Sequence, residues 1–327
     1  SKTIQIVFDG VDNTASVFGA IGNDLKSLSG NIQGATDPFA NFTENLILAE
    51  TAAAALAAGM AALAVSAAGD FSDAFNEIST LVDASDESLA SFKDELQAYA
   101  STSTQSFEQI TQATYNAISA GVSYEDAIEA IAVAEKLAVA SKADLNETVN
   151  LLIPTLNAFG AGMDEAGRYS DVLFTAVKNG KTTLPELASS LSKVSGSAAA
   201  AGVPIETIAA AIADLTAEGA PTSEAITGIK AALSNIIKPS ADAAKAAQEL
   251  GVAFDANAVK TKGLDGVLYE LKKATGGNIE TMGRFFGSTE ALNAVMGLTN
   301  DEASSFTGNI EAMNNASGAT DEAFGKM

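Results

Sequence analysis

The most regular patterning in the chain runs from Ala201 to Ser240, "AGVPIETIAAAIADLTAEGAPTSEAITGIKAALSNIIKPS". Ile205, Ile208, Ile212 and Leu215 recur at intervals of 3, 4 and 3, and Ile226, Ile229, Leu233 and Ile236 repeat that spacing. Side chains so spaced share one face of an α-helix. Gly202 suits the left-handed end of one helix and Pro204 the first turn of the next, with Glu206 near the positive end of its dipole. Gly219 and Pro221 break the chain. Thr222 or Ser223 is then placed to cap a second helix, with Glu224 in its first turn, Lys238 at its negative end and Pro239 as its stop. Ser240 caps one more helix and Gly251 ends it. The segment therefore predicts an antiparallel αα-hairpin whose opposed residues have numbers summing to about 441. The pairs that obey this rule are Leu215 with Ile226, Ile212 with Ile229, Ile208 with Leu233, and Ile205 with Ile236.

Similar punctuation spaces helices along most of the chain, at about 86–100, 105–119, 124–140, 144–158, 164–179, 184–200, 204–218, 223–238 and 241–250. A gapless shift of 81 residues places Ala120–Val122 on Ala201–Val203, Glu125 on Glu206, Ile131 on Ile212, Leu145 on Ile226 and Leu152 on Leu233. Helical periodicity does not require the shared "AGV" or the glutamate, so we read a diverged internal duplication. In the first copy, Ile128 should lie near Leu152 and Ile131 near Val149. One β-like run, Thr3 to Phe8, precedes a turn at Asp9 and Gly10. The predicted fold is all-α: an array of antiparallel helical hairpins with an Ala-rich N-terminal helix and one short N-terminal strand. Four sections are expected: an N-terminal arm (1–37), an Ala-rich helical section (38–103), a duplicated hairpin core (104–254) and a C-terminal helical section (255–327).

The Ala-rich section contains the longest uncharged run, Thr51 to Gly69, "TAAAALAAGMAALAVSAAG". Its length would cross a bilayer, but alanine contributes little transfer energy, and only Leu56, Met60, Leu63 and Val65 are strongly apolar. Leu56, Met60 and Leu63 make the stripe of a packed helix; membrane contact through these four residues is the second reading of the run. The first residues, "SKTIQIVFDG", lack the apolar stretch of a secretory signal, so export by that route is not expected.

Charge narrows the functional classes. The chain of 327 residues has 41 acidic and 18 basic side chains, a net charge of −23. Its few cations are scattered, Lys260, Lys262, Lys272 and Lys273 among them, so specific nucleic-acid binding is not expected. Cysteine is absent, which rules out disulfides and thiolate chemistry within this sequence.

Histidine is absent too, which removes a Ser-His-Asp triad, a histidine base and histidine metal ligands. Carboxylates remain, but the adjacent pairs Asp86/Glu87, Glu125/Asp126, Asp164/Glu165 and Asp301/Glu302 point about 100° apart on a helix. Most begin predicted helices, where the dipole explains them. "DANAVKTKGLDG" starts like a calcium loop at Asp255 and Asn257, then puts Val259 and Lys260 where a ligand and the turn glycine belong. "GATDEAFGKM" spaces its glycines too widely for a nucleotide-binding loop. No catalytic, cofactor-binding or metal site is expected, and no cofactor. Phe285 and Phe286, in "ETMGRFFGSTEAL", are candidates for a partner contact as well as for core anchors.

From about Ala120 to Val295 the chain resembles the conserved part of phage tail tape measure proteins. The resemblance is carried by "ISAGVSYEDAIEAIAVAEKLAVASKADLNETVNLLIPTLNAFG", by the stretch from Ser170 to Ser240, and by "AAQELGV" and "FFGSTEALNAV". It implies a protein made in the host cytoplasm that occupies the tail-tube lumen or the tail tip. Such a protein templates tail length, binds tube and tip or hub proteins, associates with itself as a trimer or hexamer, and leaves ahead of the DNA. The long uninterrupted helical ruler is missing here, and the ending "EAFGKM" suggests a longer parent chain. Two other readings are a membrane-active channel component built on residues 51–69, which would meet the host membrane, and a peptidoglycan-cleaving domain.

Overall fold

Helix caps set most of the boundaries in the structure, a computed structural model that describes residues 71–300 and 304–327. A helical stretch over residues 71–79 leads into α1 (Asp86–Thr102), α2 (Phe107–Ser119), α3 (Tyr124–Ser141) and α4 (Leu145–Phe159). Ser85, Ser106, Ser123 and Asp144 cap these four with side-chain oxygens that accept backbone N–H bonds. Ser106 and Gln109 complete a reciprocal capping box. Pro154 stands inside α4 but is exposed, and the carbonyl it leaves without a donor belongs to Asn150, itself exposed to water.

The helix predicted over 164–179 is a 3₁₀ turn (Met163–Glu165) followed by α5 (Ala166–Asn179). The one predicted over 184–200 is divided at Leu191 into α6 (Leu184–Ser190) and α7 (Ser192–Ala201). Then come α8 (Ile205–Ala217), α9 (Thr222–Ile237), α10 (Ala241–Leu250) and α11 (Ala256–Thr275), the last broken by a non-helical backbone at Gly263. Short helices α12 (Ile279–Gly283) and α13 (Thr289–Leu298) precede α14 (Ser304–Asn314) and α15 (Ala319–Phe324). Among the described residues the fold is all-α, with no strand.

Most of the punctuation around α8–α10 acts as the sequence indicates: Gly202 and Gly251 adopt left-handed cap geometry, and Ser240 caps α10. Two details differ. Pro204 is the N-cap of α8 instead of a first-turn residue, and Pro221 takes the N-cap of α9. Thr222, released from capping, bonds Thr182 Oγ1 at 2.8 Å and donates to Glu186 at 3.1 Å, which fixes the start of α9 against α6.

The two copies of the proposed duplication share their entry turn. Val122 N–H donates to the Ala117 carbonyl at 3.1 Å, and Val203 N–H donates to that of Ala198 at 2.9 Å. Both follow a glycine with positive φ, Gly121 and Gly202, so each forms the same helix-ending motif at equivalent positions. Ile131, Ile212, Leu145, Ile226, Leu152 and Leu233 are all buried. The copies diverge at the next corner, because α8 ends at Ala217 while α3 runs on to Ser141. The turn comes about one helical turn earlier in the second copy, a displacement that preserves which residues face inward.

All described residues belong to one compact unit, 67–327, so the boundaries expected at 103/104 and 254/255 fall inside it. Its core runs from Phe71 to Met313. Helices α2, α3 and α4 pack on one another, α6 and α7 bridge α4 to α9, and α8 is surrounded by α5, α9, α13 and α14. Every residue of α8 from Ile205 to Thr216 is buried. Its alanines make this possible, since small side chains let neighbouring backbones come close. At Gly180, a Cβ would lie 2.9 Å from the Ala213 Cα.

Residues 1–70 lie outside the described part. The β-like run 3–8, the N-terminal arm, and Leu56, Met60, Leu63 and Val65 are therefore not placed, nor is the Asp301/Glu302 pair.

Candidate functional site

Chemistry in a carboxylate-rich chain would be sought first at buried acids. Four stand out: Glu135 on α3, Asp171 on α5, and Glu206 and Asp214 on α8. Each is committed to holding one element on another. Glu135 accepts from the Thr104 N–H at 2.8 Å, from the Thr104 hydroxyl at 2.6 Å and from the Tyr99 hydroxyl, stapling the α1–α2 connection to α3. Burial pushes this carboxyl up, but the hydrogen bonds from the Thr104 hydroxyl, Tyr99 and the Thr104 N–H outweigh it and hold Glu135 below the ordinary glutamate range. A general acid needs the opposite shift. Tyr99 is pushed up, first by its own burial and then by its bond to Glu135, so it stays a neutral donor.

Glu206 meets Arg168 of α5, whose Nε also donates to Glu165 at 3.0 Å and whose guanidinium lies 4.8 Å from the centre of the Tyr169 ring. This arginine ties the first turn of α8 to α5. Glu125, its counterpart under the 81-residue shift, is exposed, so the two glutamates of the repeat have different tasks. Asp171 accepts from the N–H groups of Gly318 and Thr320 at 2.7 and 2.8 Å. Asp214 accepts from the Ser305 hydroxyl and, at 3.3 Å, from Asn309 Nδ2. None of these partners could be seen in the sequence, because they lie 31 to 149 residues away.

The adjacent acidic pairs within the described residues sit at helix starts. Asp86/Glu87 and Glu125/Asp126 occupy the first turns of α1 and α3, and Asp164/Glu165 lies in the 3₁₀ turn before α5. Asp255, which opens the calcium-like stretch, accepts the Ala258 N–H at 2.8 Å as the N-cap of α11. Among the described residues no cluster of three or more acids is arranged to hold a metal ion.

The hairpin-packing residues Ile205, Ile208, Ile212, Leu215, Ile226, Ile229, Leu233 and Ile236 are each no more than 4% exposed. Helices α8 and α9 touch, yet each packs more extensively elsewhere, α8 on α14 and α9 on α13. Phe285 and Phe286 correct the idea of a partner contact: they are 1% and 2% exposed, with ring centres 4.9 and 5.6 Å from that of Phe254, edge to face. They are core anchors joining the turn after α12 to the loop before α11.

One open groove of about 710 Å³ lies where α7, the α8–α9 turn and α13 meet. Glu218, Glu224 and Glu290 line it beside a single cation, Lys193, with Ser223 and Asn293. It stands open and carries three carboxylates, unlike the enclosed pocket of a small-molecule site. No helix among the described residues is long and apolar enough to cross a membrane.

Each buried acid among the described residues is thus a link between packed elements. A family profile described as phage-related minor tail protein matches residues 93–287. The tape measure protein of Pneumococcus phage Dp-1 is 28% identical over 220 residues, covering 67% of this chain and 19% of that protein. The chain therefore spans about a fifth of the length of the relative it matches. No solved structure matches it.

Proposed function

This chain belongs to the phage-related minor tail protein family, and on that premise we propose that it is the folded helical body of a tape-measure-type protein, held in the tail-tube lumen or at the tail tip. Family membership makes it a structural component of a phage tail. The finer reading is that it contributes to length determination, tip assembly and genome delivery, contacting tube and tip or hub proteins and its own copies, as a trimer or hexamer. It would be made in the host cytoplasm.

The observation that carries this reading is a match of 28% identity confined to 19% of a tape measure protein, in a region folded as short, back-packed helices. A ruler gains length from continuous helix, about 1.5 Å per residue. The longest helix among the described residues, Ala256–Thr275, has 20 residues and is broken at Gly263. This region supplies bulk and contact surface, and length would come from other parts of the parent chain. The net charge of −23 suits a protein that shares a narrow bore with DNA without adhering to it.

Peptide mass spectrometry on virions separated into heads and tails tests the assignment. Peptides from residues 93–287 should be found in the tail fraction; their confinement to heads, or their absence from virions, would remove it.

A further inference from the structure

The open groove where α7, the α8–α9 turn and α13 meet has a floor and a rim of opposite chemistry. Its floor is apolar and made of mostly small groups: Leu215, Ala220, Ala225, Ala294 and Gly297. At Gly297 the backbone of α13 comes so close that an added Cβ would lie 2.6 Å from Leu215 Cδ2. One face of each flanking helix turns to this floor, Ser223 and Thr227 four residues apart on α9, Asn293 and Gly297 four apart on α13. Two helix faces over a floor of small side chains make a seat for a third helix.

The rim carries Glu218, Glu224 and Glu290, all exposed. Asn300 Nδ2 donates to Glu218 Oε1 at 3.4 Å, which holds that carboxylate beside Gly297. Among the described residues none of the three carboxylates has a cation partner. The imbalance is local: residues 181–300 include 12 acidic and 10 basic side chains, yet the groove sets three carboxylates against Lys193 alone. It also belongs to the second copy of the repeat only. Leu137, which the 81-residue shift places on Glu218, is 0% exposed, so the first copy buries a leucine where the second turns a carboxylate into a groove.

We propose that this groove docks a basic amphipathic helix of a partner protein: the helix lays its apolar side chains on the Ala220, Ala225, Ala294 and Gly297 floor and sets lysines or arginines against Glu218, Glu224 and Glu290. Charge complementarity selects the occupant. Three carboxylates without cation partners repel an acidic segment, and a bare cation leaves the apolar floor uncovered. A helix with an apolar stripe flanked by cations satisfies both layers at once. This inference stands apart from the assignment to a phage tail, because the partner is defined by charge and amphipathicity and the test requires no phage.

The test uses the full chain and three synthetic peptides of about five helical turns. One is an amphipathic helix of leucine, alanine and lysine, one a scrambled sequence of the same composition, and one the same helix with glutamate in place of lysine. Fluorescence anisotropy at about 0.15 M ionic strength reads their affinities. The basic helix should bind at least about tenfold tighter than its scrambled form, and the acidic helix should not bind. Combined Glu218→Gln, Glu224→Gln and Glu290→Gln should weaken the basic helix about tenfold. Glu77→Gln, Glu87→Gln and Asp94→Asn, which remove as much charge from exposed positions on and before α1, should weaken it less than about twofold. Equal losses from the two triple variants, equal binding of the scrambled peptide, or no binding of the basic helix would overturn the proposal. So would displacement of the peptide by an equal concentration of spermidine, which would make the groove a site for cations alone.

Discussion

Gly228 on α9 faces Ala294 on α13 so closely that a Cβ added at 228 would lie 2.7 Å from the Ala294 Cβ and 2.7 Å from the Glu290 carbonyl oxygen. The carbonyl belongs to a helix backbone and cannot swing aside. Gly228→Ala should therefore lose about 1–3 kcal/mol to overpacking, more than the roughly 1 kcal/mol alanine gains from helix propensity. Gly196→Ala on α7 is the control: nothing lies within 4 Å of its added Cβ, so it should stabilise by about 0.5–1 kcal/mol. Urea denaturation of the two variants gives opposite shifts of midpoint if α9 and α13 meet as described.

Complete burial of α8 makes a second demand. In a simple two-helix stripe Ala210 would face water and tolerate enlargement; in the structure it is 0% exposed. Ala210→Leu should destabilise by about 1–3 kcal/mol, and a neutral result would contradict the packing around α8.

Truncation of Ile212 or Ile229, each 1% exposed, should cost about 2–5 kcal/mol. Whether the two side chains oppose each other in the predicted hairpin is a separate matter, read by a double-mutant cycle. Direct contact gives an interaction energy above about 0.5 kcal/mol, and strict additivity would show that the residues are buried against different neighbours.

The Glu135 staple predicts a pH dependence with a definite sign. Its carboxyl is held below the ordinary value of 4.5, so the folded state favours the ionised form. That contribution is present above pH 4.5 and is lost as the pH falls through the lower folded value. Glu135→Gln should flatten this acid limb and also lower stability at neutral pH, by about 1–3 kcal/mol for each donor left unsatisfied. Tyr99 acts at the other extreme: its folded value lies above the ordinary 10.0, so its contribution fades as the pH rises beyond 10. Chemical denaturation at several pH values, with Tyr99→Phe beside Glu135→Gln, separates the two.

In the phage, removal of residues 93–287 from the tail protein that carries them distinguishes a folded body from a ruler. Were those 195 residues continuous helix, tails would shorten by about 290 Å. A folded body predicts a much smaller change, or tails that fail to assemble, and electron micrographs of the tail-length distribution decide.

Much of the fold could be read from local chemistry. The 3-and-4 spacing of isoleucines and leucines, the serines and aspartates ahead of helices, and the glycines and prolines after them placed most helices within a few residues, because caps and periodicity act within one or two turns. The same reasoning removed histidine and cysteine chemistry outright. It could not foresee that α8 would be buried on all sides, since a helix rich in alanine is compatible with one packed face or several, and only the arrival of α5, α13 and α14 decides. Nor could it separate core from contact surface for Phe285 and Phe286, which became core only when Phe254 was brought against them. Thr222 reads as a cap until α6 offers it Glu186. The carboxylates of Glu135, Asp171, Glu206 and Asp214 look in sequence like any other acid on a strongly acidic chain. Tertiary structure alone made them clamps, because the donors that stabilise a buried charge came from segments 31 to 149 residues away.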